Sequence, residues 1–270
     1  MKLKNIFNRK SRLNRKYNTK RHMHKEQILK HYIPLKESPT VQFPPKLNNG
    51  TILPPCQDQG QYGTCYAHAA AGAVNYNELK YFKAPSVVHS PSRLGIAWNA
   101  CIQEKEVNVT EEDGIASLYN TLIPITTLGF FPEEMFPYVP SNINVQPSPA
   151  CFIEGKKHLG LSVTAVAQDL NSLKSAIVEG QVIVFGMLIY PQYESNQCLK
   201  DGKVETPGWF SKHFSSSLGG HAQLIVGYDD DIKCFIVRGS WGPSVADHGY
   251  FYIPYDYITD SILAFDFQIL

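Results

Sequence analysis

The sequence predicts an α+β protein with helices gathered in its first half and strands in its second, and three observations carry that expectation. An Ala-rich, proline-free run over 64–82 places Ala67, Ala70, Ala71, Val74 and Leu79 near helical spacing. Short β-branched or aromatic runs at 182–189, 221–228, 234–238 and 249–253 are bounded by Gly, Asp or Pro, as strands are. The helical signals precede the strand signals along the chain, which suits two unlike halves.

Residues 1–32 read as an arm, rich in Lys and Arg and poor in apolar residues, with a helix expected over 24–32. Residues 33–55 hold Pro34, Pro39, Pro44, Pro45, Pro54 and Pro55, and should be extended, because proline removes backbone donors and restricts the residue before it. Gly60 and Gly63 suit a tight turn into the helix that starts at Thr64 or Cys65. Further helices are expected over 91–105, 113–122 and 165–180, the last ending at Gly180. The four strands follow, and no internal repeat is evident. The domain boundaries expected are an arm at 1–41 and a folded body at 42–270, helix-rich to about residue 160 and strand-rich from about 161.

With 43% hydrophobic and 18% charged residues, the 270-residue chain has the composition of an ordinary globular protein. Its net charge of +1 hides two opposed parts. Residues 1–30 carry eleven basic side chains and one acid, a local charge of +10, which leaves −9 on the remainder. No run approaches the roughly 18 apolar residues that span a bilayer. The charged start lacks the apolar core of a secretory signal, so conventional secretion is not expected. Six cysteines, none in a C-x-x-C pair, suit neither a disulfide scaffold nor a zinc site. No cofactor and no metal are expected, and His22, His24 and His31 read as solvated residues of the arm.

The segment from Gln57 to Ala69, Q-D-Q-G-Q-Y-G-T-C-Y-A-H-A, is the most informative. A cysteine in the first turn of a helix sits among unpaired N–H groups in the positive end of the helix dipole, which favours its thiolate. Gln59 can offer a side-chain N–H to an oxyanion beside the N–H of Cys65. The same residues also fit a buried capping cysteine in a core helix, and this segment alone does not choose. A second segment, Gly219 to Asp229 (G-G-H-A-Q-L-I-V-G-Y-D), puts His221 at the start of an apolar strand, followed by Gly239-Ser240-Trp241-Gly242 and then His248-Gly249-Tyr250.

Together these motifs resemble the papain-like cysteine peptidases, whose members carry Q-G-x-x-G-S-C-W-A, then H-A-hydrophobic-x-x-V-G-Y, then N-S-W-G followed by G-Y. The order is the same and the likeness covers about residues 42–270, including Gly129 to Tyr138 as the segment leading to a P-Y and Ala264-Phe265-Asp266-Phe267 as a C-terminal strand. It is nearest to compact members with D-Q-G-Q-x-G-[ST]-C. The resemblance implies a two-domain fold, a helical left domain and a β-barrel-like right domain flanking a cleft. It implies peptide hydrolysis with Cys65 as nucleophile, His221 as its base and Gln59 as oxyanion donor. Ser240 and Trp241 support the site, and Gly63, Gly114 and Gly220 line the substrate's path. His68 and His248 read as packing residues. The absence of a paired-histidine loop makes endopeptidase the default.

Two positions depart. The family's orienting asparagine falls on Gly239, which has no side chain to accept from the imidazole, and its loss costs rate. The options are another acceptor, a slow enzyme, or a degenerate peptide-binding or structural module, and Gly239→Asn is expected to raise the rate. Tyr62 stands where many relatives have a disulfide cysteine. Cys56, Cys101, Cys151, Cys198 and Cys234 are then an odd number besides Cys65, and a reducing intracellular compartment is the simpler account, with the sequons at Asn49 and Asn108 unused. The arm sits where the family's propeptides cross the cleft backwards, which would make the protein a zymogen. Its charge suits docking on the acidic body; the other readings are a nonspecific tether to nucleic acid or another anionic surface, and a solubilising tail.

Overall fold

The computed structural model of the chain describes residues 19–20, 42–82, 90–104, 116–214 and 217–270. In chain order the elements are β1 (Thr19–Lys20), β2 (Lys46–Asn48), α1 (Cys65–Phe82), α2 (Arg93–Glu104), β3 (Ala116–Ser117), α3 (Leu118–Leu128), α4 (Pro149–Gly155), β4 (Thr164–Ala165), α5 (Leu170–Val178), β5 (Ile183–Ile189), α6 (Cys198–Asp201), α7 (Trp209–Phe214), β6 (Gly219–Asp229), β7 (Cys234–Arg238), β8 (Tyr250–Pro254), α8 (Tyr255–Thr259) and β9 (Ala264–Ile269). The α+β architecture expected from sequence is what forms.

The strand-rich half is one seven-stranded sheet in the order β4-β9-β5-β6-β7-β8, with β2 pairing on β6. It is open, not closed into a barrel. All pairings within it are antiparallel, so alternate side chains face opposite ways. Ile183, Phe185, Met187 and Ile189 enter one core with Leu173 and Ile177 of α5 and Tyr257 and Ile258 of α8. Val184, Ala222, Leu224 and Val226 enter the other, against the alanines of α1. Small side chains let the α1 backbone lie close to β6, which brings the start of that helix to the start of the strand.

Several expected bounds moved. The helix expected over 113–122 starts at Leu118, where Ser117 caps it by accepting from Asn120 N at 3.2 Å, and runs on to Leu128 with Pro124 buried inside it. Of the helix expected over 165–180, Ala165 belongs to strand β4, which pairs with β9, and Asp169 caps a shorter helix, α5. Gly180 does end that stretch, with a φ of 78°. The helix expected over 24–32 lies outside the described residues.

Candidate active site

Cys65 is the first residue of α1, and residues 57–64 before it are strapped to the loop after β7. Gln59 N donates to Ser240 O at 2.8 Å, Gly242 N donates to Gln57 O at 3.2 Å, and Asp58 and Trp241 form a β-bridge. The turn is tightened by Asp58, whose side chain accepts from Gly60 N at 2.8 Å, with Gly60 at a φ of 62°. The strap joins the helical half to the sheet beside the two motifs that the sequence singles out.

His221 lies in β6 opposite Met187 of β5. The Ala222 N–H donates to Cys65 Sγ at 3.4 Å, so the thiol rests against the backbone next to His221, across 157 residues of chain. Cys65 and His221 are both fully buried. Sulfur at the N-terminus of an 18-residue helix, with a backbone N–H aimed at it, has the surroundings that favour a thiolate. Gln59 is equally buried. Its Oε1 accepts from Ser240 Oγ at 2.5 Å and its Nε2 donates to Tyr62 O at 2.7 Å. Because a carbonyl oxygen only accepts, this pair fixes which end of the amide is nitrogen, and Nε2 keeps a second N–H for another acceptor. Trp241 covers the imidazole at 5.3 Å between ring centroids.

Gly239 follows β7, and Phe251 occupies the space beside it. A Cβ at Gly239 would stand 2.7 Å from Phe251 Cε2 and 3.2 Å from Gly249 O. The Phe251 ring is stacked on Tyr193 at 4.8 Å and meets Trp241 edge-on at 5.5 Å. A side chain at Gly239 therefore requires the Phe251 ring to move. Gly63 lies in the turn before Cys65 and Gly220 is the residue before His221, so both border the site. Gly114 lies outside the described residues. His248 has a φ of 52° in the loop before β8 and is placed by that turn.

His68, one helical turn beyond Cys65, is held in a network that the sequence did not reveal. Its Nδ1 donates to Thr64 O at 3.0 Å, and its Nε2 accepts from Arg93 at 3.3 Å. Burial and the adjacent guanidinium push its pKa down to about 3, so it is neutral. Arg93 is also paired with Glu133 at 2.7 Å and lies over the Tyr138 ring at 4.5 Å. The Tyr138 hydroxyl donates to Gln59 O at 3.0 Å and pairs with Thr64 Oγ1 at 2.6 Å, while burial pushes its pKa well up. Glu133 and Tyr138 come from the segment that resembles the family's approach to P-Y, so that likeness was the one available signal. Arg238, at the end of β7, donates to Pro54 O at 2.7 Å and Pro55 O at 2.9 Å and anchors the segment leading to the loop before Cys65.

All six cysteines are buried, and no disulfide joins any two of them. Burial raises the pKa of Cys56, pushes Cys198 up to about 12 and Cys234 up to about 11. Asn49 donates through Nδ2 to Ile177 O at 2.8 Å and Gln181 O at 3.0 Å, which ties its sequon into the fold. Among the described residues no group of three His, Cys, Asp or Glu is placed to hold a metal ion, and no helix is long and apolar enough to cross a membrane. Thr19–Lys20 pairs in parallel with Ala116–Ser117 and lies against β5 and β6, so part of the arm runs beside the strand carrying His221.

Residues 44–262 match the model of the papain family cysteine proteases. An uncharacterized peptidase C1-like protein of Acanthamoeba polyphaga mimivirus is 32% identical over 221 residues, covering 79% of this chain and 68% of that protein. Among solved structures, xylellain, a cysteine protease from Xylella fastidiosa, is similar with a TM-score of 0.83 and 30% identity over 94% of this chain and 96% of that one. The digestive procathepsin L 3 of Tenebrio molitor larval midgut shares the fold at a TM-score of 0.65 and 16% identity, covering 96% and 76% of the two chains.

Proposed function

The chain belongs to the papain family of cysteine proteases, and from that premise we propose that it hydrolyses peptide bonds through a Cys65–His221 thiolate–imidazolium pair. The observation that carries the reading is the placement of Cys65 Sγ at the start of α1 and 3.4 Å from the backbone N–H next to His221. The thiolate attacks the scissile carbonyl carbon, and the oxyanion takes hydrogen bonds from the second N–H of Gln59 Nε2 and from the Cys65 N–H. His221 gives its proton to the departing amine, leaving a thioester on Cys65. Water, deprotonated by the neutral imidazole, then attacks the thioester and releases the acid. Ser240 holds the Gln59 amide for this role, Trp241 keeps water from the imidazole, and Gly63 and Gly220 admit the substrate backbone.

The arm is read as an inhibitory segment of a zymogen. Its support is the pairing of Thr19–Lys20 with Ala116–Ser117 beside β6, together with the opposite charges of arm and body. Six cysteines with no disulfide among them support a reducing compartment. Gly239 favours a second reading, a peptide-binding module of the same fold with little or no turnover. Titration with a thiol-reactive peptide analogue, on the full chain and on one beginning at Gln42, separates them. Stoichiometric labelling of Cys65, faster in the shorter chain, supports a masked peptidase. No labelling in either supports the binding module, and equal labelling in both removes the inhibitory role of the arm.

A further inference from the structure

We propose that Gln223, held by Tyr193, is the positioning residue for His221 and stands in for the carboxamide that Gly239 lacks; the inference rests on the peptidase reading above. Strands β6 and β7 pair Ile225 with Val237 and Leu224 with Arg238. One further step of that register sets Gln223 opposite Gly239, and residues opposite one another in an antiparallel pair share a face. Gln223 is also two residues from His221 on β6, which gives it the same face as the imidazole. The two Cα atoms are then about 6.6 Å apart, a span within reach of a glutamine side chain.

Gln223 is out of keeping with its strand. It is 1% exposed beside Leu224, Ile225 and Val226, at a position where the family's motif is hydrophobic. A buried carboxamide is unfavourable unless its groups are bonded. Here Nε2 donates to Tyr193 Oη at 2.6 Å, while Oε1 is buried with no hydrogen-bond partner among the described residues. The atom left over is an acceptor, the kind that an imidazole N–H requires. Tyr193 is 1% exposed; its ring meets the His221 ring edge-on at 6.5 Å and Trp241 at 5.4 Å, and stacks on the Phe251 ring. Phe251 in turn fills the space beside Gly239. The exchange is consistent: an aromatic ring fills the asparagine's volume, and the neighbouring strand supplies an amide oxygen on the same face. A turn about the Gln223 side-chain torsions brings Oε1 to the imidazole N–H remote from Cys65, fixing its tautomer and favouring the imidazolium.

The test uses the full chain and the variants Gln223→Leu, Gln223→Glu and Tyr193→Phe. It reads thermal unfolding, kcat and KM on a short peptide, and the pH profile of Cys65 alkylation by iodoacetamide. Gln223→Leu should stay folded, lose at least tenfold in kcat at unchanged KM, and lose alkylation at pH 5 relative to pH 8, because the imidazolium no longer sustains the thiolate. Tyr193→Phe keeps the ring stack and should move both readouts the same way by less. Gln223→Glu should retain activity and shift the alkaline limb upward by about one pH unit, since a carboxylate stabilises the imidazolium further. A purely structural role would alter unfolding without moving the pH profile. Wild-type kcat and pH profile in both Gln223→Leu and Tyr193→Phe overturn the proposal, and if Gln223→Leu does not fold, Tyr193→Phe decides alone. A wild-type chain whose Cys65 titrates as an ordinary thiol and which turns nothing over refutes the peptidase reading itself, and this inference with it. An intact ion pair left unmoved by the variants refutes only Gln223.

Discussion

Restoring an asparagine at Gly239 is expected to fail unless Phe251 is made smaller at the same time. The new Cβ alone would stand 2.7 Å from Phe251 Cε2, and that ring cannot swing aside easily, because it is fully buried between Tyr193 and Trp241. Forcing extra atoms into a packed core costs about 1–3 kcal/mol. For a chain of this size each kcal/mol lowers Tm by roughly 2–4 °C, so Gly239→Asn should melt several degrees early and show no gain in rate. Phe251→Val alone should also destabilise, by about 2–4 kcal/mol, from lost burial and the cavity left behind. In the double variant the asparagine fills part of that cavity, so the two losses should fall short of additive by about 1–2 kcal/mol. The asparagine then reaches the imidazole, and kcat should exceed that of either single variant. Thermal unfolding and kcat of the four proteins complete the cycle. Losses that simply add, or a Gly239→Asn protein that melts like the wild type, would show that Phe251 does not occupy the asparagine's place.

Three further outcomes follow from the same site. His68 has a pKa lowered to about 3 against about 6.5 in an unfolded chain, so the unfolded state binds the extra proton. Its contribution is therefore present above pH 6.5 and lost as pH falls towards 3. Denaturant unfolding between pH 7 and 4 should give a His68→Asn protein that is less stable at neutral pH but has a shallower acid slope, by up to about 1.4 kcal/mol per pH unit. Tyr138→Phe removes the hydroxyl that donates to Gln59 O and pairs with Thr64; a stability loss of about 1 kcal/mol and a several-fold fall in kcat should appear together. A small thiol reagent at pH 7 should modify Cys65 before Cys198 and Cys234 in the folded protein and all six cysteines after denaturation, because burial holds those two thiols far above neutrality. Mass spectrometry of the native adduct counts the labels.

What was legible in the sequence is what one segment carries by itself. The alanine spacing over 64–82 announced α1, and the apolar runs at 182–189 and 234–238 announced β5 and β7 closely. Cys65 and His221 were legible because each sits in a local motif, one at a helix start and one at a strand start. Contacts between segments were not. The pairs Arg93–Glu133 and Gln223–Tyr193 join residues 40 and 30 positions apart, and nothing local marks Arg93 as the partner of His68. Elements that depend on partners were missed likewise: β2 forms because β6 offers it an edge at Tyr228, and Ala165, expected at a helix start, is in a strand because β9 lies beside it. Pro124 marks a break to a sequence reader, yet within α3 it is buried and the helix continues past it.

The missing asparagine shows how local motif and tertiary packing divide the information. In sequence, Gly239 is a single gap in an otherwise complete pattern, and the natural inference is a damaged site that one substitution repairs. In the folded chain the gap is closed from three directions: Phe251 stands where the side chain would begin, Tyr193 stacks on Phe251, and Gln223 is tied to Tyr193. A site drifting without selection on its imidazole has no reason to keep a half-bonded carboxamide in a dry core, since an apolar side chain there avoids the desolvation penalty altogether. The strap from residues 57–59 to 240–242, by contrast, retains its backbone bonds and the Gln59–Ser240 contact intact. The strap that places Cys65 and Gln59 is thus complete in its hydrogen bonds, and the ground beside Gly239 is taken up by Phe251, Tyr193 and Gln223, an arrangement that fits the peptidase proposal better than the binding-module one.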